Sequence, residues 1–273
     1  MEKFKLKLKN PTISLLTDFG TRDHFVGTMK GVILSICPEA KIVDVTHEVS
    51  AFNIMEAAFI LKNSYNYFPE GTVHLVVVDP GVGSEREILI VKSRKYIFVA
   101  PDNGVLSDIL KGEENVSVYK LDKGKFSIKN ASSTFHGRDI LAPLAARLAK
   151  GELPSGFGKK TSNYKIINIP EPVRTKNIIK GEIIYTDSFG NLITNIRREY
   201  FKTIAVGKEK FEIRCKEHRA SKIASSYSEG NKKDVNCIWA SHGNLEIFVR
   251  EGNASKKLKI KAGDKVTISF IRN

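Results

Sequence analysis

Polar residues collect directly after apolar runs in this chain, and three such clusters carry side chains able to do chemistry. Thr17-Asp18-Phe19-Gly20-Thr21-Arg22-Asp23 follows the run Ile13 to Thr17. The carboxylate of Asp18 is a strong acceptor for ribose hydroxyls, and Gly20 lets backbone come near a ligand. The competing use is an Asx-type turn with Asp23 capping the next helix. Asp79-Pro80-Gly81-Val82-Gly83-Ser84-Glu85-Arg86 follows His74 to Val78. Its Pro and Gly residues fix a sharp loop across which Asp79 and Arg86 can face each other, as a working pair or as an ion pair pinning the loop. The third cluster, Thr134-Phe135-His136-Gly137-Arg138-Asp139, sets one imidazole beside opposite charges, which suits proton handling or a structural histidine equally. His47, in Val45-Thr46-His47-Glu48, is placed similarly after a strand.

Two further segments have the composition of binding loops: Ala100-Pro101-Asp102-Asn103-Gly104, and Asp187-Ser188-Phe189-Gly190-Asn191-Leu192-Ile193-Thr194-Asn195. The second groups amides and a carboxylate around one aromatic, suitable for an amino acid or a nucleoside. The Asp79 loop has no Gly-Lys-Ser/Thr ending and no Gly-x-Gly-x-x-Gly spacing, so neither a Walker loop nor a dinucleotide cofactor is supported. The histidines are scattered, and Cys37, Cys215 and Cys237 lie far apart without Cys-x-x-Cys spacing. No metal site, cofactor or disulfide framework is expected.

The elements that must position these clusters change character along the chain. Strands are expected at Ile13 to Thr17, Lys41 to Val45, Val73 to Val78, Glu87 to Val91 and Lys95 to Val99. Helices are expected at Phe25 to Ile36, Ile54 to Tyr67, Asn103 to Leu110 and Ile140 to Ala149. This alternation indicates an α/β layered domain with a mostly parallel sheet over residues 1–155. Residues 156–178, rich in Gly, Ser, Asn and Pro, read as a linker. From 179 to 273 short strand-like runs follow one another: Gly181 to Thr186, Leu192 to Ile196, Ile204 to Val206, Phe211 to Cys215, Asn236 to Ala240, Leu245 to Val249, Leu258 to Ile260 and Val266 to Ile271. They predict a C-terminal antiparallel β-barrel domain.

Composition narrows the class. With 273 residues, 41% hydrophobic and 27% charged, the chain has globular proportions and room for two cores. No apolar run reaches membrane-spanning length, and the basic start Met1 to Lys7 is not followed by an apolar signal segment, so a soluble cytoplasmic protein is expected, with no membrane partner. The net charge of +14 raises nucleic acid as a partner. The lysines are scattered and often beside acids, as in Lys208-Glu209-Lys210, which fits the solvated surface of a heat-adapted protein better than a nucleic-acid interface.

Taken in order, the motifs resemble the S-adenosyl-L-methionine hydrolase (hydroxide adenosyltransferase) family, relatives of the fluorinase and chlorinase enzymes. The residues that carry the resemblance are Leu-Thr-Asp-Phe-Gly at 16–20, Asp-Val-Thr-His at 44–47, Val-Val-Asp-Pro-Gly-Val-Gly at 77–83, Ala-Pro-Asp-Asn-Gly at 100–104, Thr-Phe-His-Gly-Arg-Asp at 134–139, Asp-Ser-Phe-Gly-Asn-Leu-Ile-Thr-Asn at 187–195, and Ser-His-Gly-Asn-Leu-Glu at 241–246. Each motif alone is weak, but seven in the same order are specific. The resemblance implies an α/β domain followed by a β-barrel, and a homotrimer with active sites between subunits. It implies hydrolysis of S-adenosyl-L-methionine to adenosine and L-methionine, without a cofactor. The water-activating set falls on Asp79, Arg86 and His136, and the ribose-binding acid on Asp18. Phe52, Asn103, Phe135, Asp187, Phe189, Asn191, Ser241 and Val249 complete the implied substrate-binding set. The halogenases resemble one another in carrying Tyr at the position of Asp79 and Ser at that of Gly137, and this chain has neither. His242 stands where some relatives carry Arg. The alternative to an enzyme is a protein that only binds adenosine or S-adenosyl-L-methionine, with Asp79 and Arg86 as a structural pair.

Overall fold

The computed structural model describes residues 11–124, 126, 132–205 and 210–271. The basic start Met1 to Lys7, Val206 and the pair Lys208-Glu209 lie outside the described residues. The chain divides into two compact units between Ile167 and Asn168. Among the described residues no helix is long and apolar enough to cross a membrane.

The first unit contains, in chain order, β1 (Thr12–Thr17), α1 (Phe25–Ile36), β2 (Lys41–Thr46), α2 (Ile54–Ser64), β3 (Val73–Val77), β4 (Ile88–Lys92), β5 (Ile97–Pro101), α3 (Ser107–Gly112), β6 (Ser117–Leu121), α4 (Ala142–Ala149) and β7 (Gly158–Lys160). All five residues of β3 are buried. Their side chains alternate between two cores: Val73, Leu75 and Val77 face one, Val76 the other. Burial on both faces is why this run reads as continuously apolar. Met29 and Ile33 of α1 pack with Leu144 and Leu148 of α4 in the first core, while Ala57 and Leu61 of α2 and Ile109 of α3 fill the second.

The strands are ordered β2-β1-β3-β5-β4-β6-β7. The pairings β2-β1, β1-β3 and β3-β5 are parallel, and β5-β4, β4-β6 and β6-β7 are antiparallel. The sheet is mixed, with the parallel strands on one side. From β1 the chain steps outward to β2, then crosses to the other side of β1 for β3. That reversal opens a crevice beyond the carboxyl ends of β1 and β3, where such sheets take ligands. Asp18 and Asp79 follow those two ends.

The second unit comprises β8 (Val173–Arg174), β9 (Ile178–Thr186), β10 (Leu192–Arg197), α5 (Arg198–Ala205), β11 (Lys210–Cys215), β12 (His218–Ala220), β13 (Asn236–Trp239), β14 (Asn244–Phe248), α6 (Ala254–Leu258) and β15 (Lys265–Ile271). The order β12-β11-β15-β9-β10-β14-β13, with β8 added on β9, makes a nearly closed antiparallel barrel. Inward residues at alternate positions, such as Ile179 and Ile183, Leu245 and Ile247, Val266, Ile268 and Phe270, build its core.

Several expected elements differ. The strand expected at Ile204 to Val206 is, as far as Ala205, the end of helix α5. Tyr200, Phe201, Ile204 and Ala205 recur at helical spacing and pack on the barrel core. The strand expected at Leu258 to Ile260 is replaced by α6, whose N-cap Asn253 accepts the Lys256 N–H at 2.8 Å and whose C-cap Lys259 adopts φ 52°. The helix expected from Asn103 begins only at Ser107, because Asn103 and Gly104 (φ +94°) form the turn that leads into it. The β5 strand is displaced by two residues to Ile97–Pro101, since Ser93 and Tyr96 close the preceding turn on each other. The segment read as a linker contributes β7 to the first sheet and β8 to the second.

Candidate active site

A cavity of about 380 Å³ occupies the crevice of the first unit, lined by Asp18, Phe19, Phe25, Ala51, Phe52, Val77, Asp79, Val82, Thr134, Phe135, His136 and Gly137. Its walls are mostly apolar, with two carboxylates and one imidazole. Phe135 stands edge-on to Phe19 and Phe25, with ring centroids 5.9 and 5.3 Å away. Such contacts hold a rigid aromatic wall.

Asp79, Arg86 and His136 converge although they lie far apart in sequence. Arg86 Nε donates to Asp79 Oδ2 at 2.5 Å, and Arg86 Nη2 makes a second contact with the same oxygen. Nη2 also lies 3.1 Å from His136 Nδ1. Both members of the ion pair have side chains only 5% exposed, so the pair is shielded from bulk water. A guanidinium has no acceptor. His136 Nδ1 must therefore offer its lone pair, which leaves the ring neutral with its hydrogen on Nε2. Burial first, and the Arg86 charge second, hold the imidazole below its ordinary pKa, in agreement with that state.

Local sequence explains the convergence. The Asp79 carboxylate turns back to accept the Gly81 N–H at 3.1 Å, closing the loop after β3. Gly83 has φ +81°, and a Cβ there would lie 2.5 Å from the Ser133 carbonyl oxygen, so only glycine lets this loop approach the segment before His136 so closely. His136 leads into a π-helical turn, Gly137–Leu141, in which the Ala142 N–H reaches back to the Gly137 carbonyl. Such wide turns recur at functional sites. Arg138 and Asp139 lock it: Arg138 donates to both Asp139 oxygens at 2.6 and 2.9 Å, Asp139 accepts the Ser132 N–H at 2.8 Å, and the Arg138 guanidinium lies 5.1 Å from the Phe135 ring centre. Gly137 is fully packed. A Cβ there would come within 3.2 Å of Met29 Sδ, 3.3 Å of Phe135 and 3.4 Å of Val77.

At the opposite wall Asp18 Oδ2 accepts the Phe52 N–H at 2.8 Å, holding Phe52 at φ +65° with its ring 67% exposed. Asp23 does not occupy the N-cap of α1. That position is His24, which makes no side-chain capping bond. Asn103 is not among the residues that line this cavity. Its amide donates to the Val78 carbonyl at 2.8 Å and accepts the Val105 N–H at 3.1 Å, so it ties the turn after β5 to the end of β3. Phe19, Phe25, Val82 and Thr134 were not singled out from sequence. Phe19 sat inside the first polar cluster, and Phe25 was absorbed by the helical pattern of α1.

In the second unit the hairpin between β9 and β10 carries Asp187, Phe189 and Asn191. Asp187 accepts the Asn191 N–H at 2.8 Å and the Asn191 amide at 3.1 Å. Phe189 projects from the tip, 76% exposed. Ser241 is exposed and Val249 buried, on either side of β14. Glu246 of β14 is also buried, accepts the Tyr227 hydroxyl at 2.8 Å, and has its pKa raised by burial.

Fold and site define a two-unit protein whose α/β unit presents a carboxylate–guanidinium–imidazole set to an apolar crevice, with a nearly closed β-barrel following. The model of the SAM hydroxide adenosyltransferase N-terminal domain matches residues 13–158, and that of the C-terminal domain matches residues 181–267. The chain belongs to the SAM hydroxide adenosyltransferase family. It is 35% identical to the (R)-S-adenosyl-L-methionine hydrolase of Methanocaldococcus jannaschii, covering 94% of this chain and 95% of that protein. A fluorinase of an Actinoplanes species is 28% identical, over 72% of this chain and 76% of that protein. Among solved structures, an uncharacterized conserved protein from Thermotoga maritima superposes with a TM-score of 0.86 at 36% identity, covering 94% of this chain and 99% of that one.

Proposed function

We propose that the chain hydrolyses S-adenosyl-L-methionine to adenosine and L-methionine, with Asp79, Arg86 and His136 acting on water. The observation that carries this reading is the shielded Asp79–Arg86–His136 set on the wall of an apolar cavity that has Asp18 on its other side. The oxygen of water forms a bond to ribose C5′, the C5′–S bond breaks, and its electron pair leaves with sulfur as a neutral thioether. The leaving group needs no acid, so the demand falls on water, whose pKa is about 15.7. Asp79 takes the proton. His136 is already an acceptor toward Arg86 and offers Nε2–H to the incoming oxygen, while Arg86 holds the Asp79 carboxylate in place and stabilises negative charge developing on that oxygen. Asp18 receives the ribose hydroxyls, Phe52 and Phe135 flank the nucleoside, and Asp187, Phe189, Asn191, Ser241 and Val249 serve the methionine and adenine ends.

Gly137 and Asp79 argue against halide transfer, since the halogenases place Ser and Tyr there. The family also supports a homotrimer with sites between subunits, which light scattering on the purified protein tests by mass. Incubation with S-adenosyl-L-methionine followed by chromatography tests the reaction. Adenosine and methionine in equal amounts are expected. Bound but unconverted substrate would leave a binding protein, with Asp79 and Arg86 as a structural pair.

A further inference from the structure

His47 belongs to a motif that the reaction does not use, and it is 5% exposed. We propose that His47 is a positioning residue for the ribose end of the crevice, setting through Thr17 the turn that carries Asp18 and Phe19. The proposal rests on Asp18 being the nucleoside-binding carboxylate.

His47 Nδ1 lies 2.9 Å from Thr17 Oγ1, and the same hydroxyl oxygen accepts the Phe19 N–H at 3.3 Å. On the other side of the ring, Nε2 lies 3.0 Å from Asp44 Oδ1, and Lys30 Nζ donates to Asp44 Oδ2 at 2.6 Å. An ionised carboxylate only accepts, so the imidazole hydrogen belongs on Nε2, and Nδ1 takes the Thr17 hydroxyl proton. The Thr17 hydroxyl then donates to the imidazole, whose far nitrogen faces a carboxylate held by a lysine without hydrogen-bonding to it.

The backbone of His47 adds a second tie, because its carbonyl accepts the Gly20 N–H at 2.7 Å. Thr17 and Gly20, the two ends of one turn, are thus fixed to a single residue at the end of β2. Between them stand Asp18 and Phe19, both walls of the cavity. Asp18 in turn holds the Phe52 N–H at 2.8 Å, so a shift of this turn moves both sides of the rim together. The ring makes its one hydrogen bond at Nδ1, to Thr17, while Nε2 is buried without a hydrogen-bond partner and only near the Asp44 charge, so the imidazole fixes the turn through Thr17 without lining the cavity.

The test compares His47→Ala, His47→Asn and Thr17→Val with the unaltered protein, measuring kcat, KM for S-adenosyl-L-methionine and adenosine affinity by calorimetry, with circular dichroism as the fold control. His47→Ala and Thr17→Val are expected to raise KM and adenosine Kd together by about tenfold or more, with kcat changed by less than about threefold. His47→Asn, whose side-chain oxygen can again accept the Thr17 hydroxyl, is expected to recover most of the affinity. Should His47→Ala fail to fold, Thr17→Val carries the test together with His47→Asn, since Thr17→Val removes the hydroxyl with both its link to His47 and its bond from the Phe19 N–H. Adenosine affinity and KM within about twofold of the unaltered protein in the folded variants, or a loss confined to kcat, would overturn the proposal. Absence of adenosine binding by the unaltered protein would overturn the nucleoside reading and this proposal with it.

Discussion

The two polar walls of the crevice are built differently. Asp79 is enclosed, its carboxylate bonded to a guanidinium that is itself bonded to a neutral imidazole, and the loop carrying it is pressed against the Ser133 backbone. Asp18 makes a single backbone bond to a residue whose ring is largely in solvent. The first wall is fixed before any ligand arrives, as charge stabilisation requires. The second is an exposed rim that leaves a carboxylate oxygen for hydroxyl donors. On the proposed reading, one chain separates where chemistry is prepared from where a ligand is admitted, across a single β1–β3 crevice.

The sharpest way to break this contrast is Asp79→Asn, which keeps shape and removes the proton acceptor. A loss of about 10²- to 10⁴-fold in kcat is expected with adenosine affinity little changed. Equal losses in kcat and affinity, measured by steady-state kinetics and calorimetry, would show the two walls act as one. Asp18→Ala is the complementary change. It should weaken adenosine by about 10- to 100-fold, the range for hydrogen bonds to a charged group, while the fold is retained. An unchanged dissociation constant would remove Asp18 from the ribose contact.

Gly137→Ala probes how tightly the first wall is packed. The added methyl meets Met29, Phe135 and Val77, and overpacking of about 1 to 3 kcal/mol should appear as a lowered Tm in calorimetry. An unchanged Tm would mean that the Met29 thioether simply moves aside.

The smallest effect concerns acid. The folded pKa of His136 is depressed below 6.5, so in the window beneath that value the unfolded chain binds a proton that the folded ring refuses. Stability therefore rises with pH there and is lost as pH falls through the folded pKa, when Nδ1 also ceases to accept from Arg86. Thermal melts from neutral pH down through this window should drop more steeply for the unaltered protein than for His136→Asn. Parallel curves would place the acid sensitivity elsewhere.

Much of this was legible in the sequence because burial on two faces writes itself as apolar runs. Phe25 to Ile36 has the limits expected from its apolar spacing, and the strand expected at Val73 to Val78 ends one residue earlier, at Val77. The clusters at strand ends were legible too, as polar residues after apolar runs, although Asp and Gly there serve turns as readily as ligands. What failed were short elements governed by a cap or a single face. In α6 the Asn253 cap outweighs the strand-like Leu258-Lys259-Ile260, and in α5 the barrel core selects helical spacing over a three-residue apolar fragment. The strands Ser117–Leu121 and Gly158–Lys160 escaped notice because their apolar residues are few and their partners distant in sequence. For Asn103 the sequence leaves two uses open, since an amide in a polar loop looks the same whether it meets a ligand or ties two backbone segments together, and the structure gives it the second.

The wide turn at Gly137–Leu141 has a consequence for how this arrangement tolerates change in length. An α-helix advances about 100° per residue. Deleting one residue from this stretch would relax it into ordinary helix and swing everything upstream by about that angle, carrying the His136 ring off Arg86. The register of one extra residue thus serves as the alignment pin of the first wall, and shortened forms of this helix should keep their cores while losing that alignment.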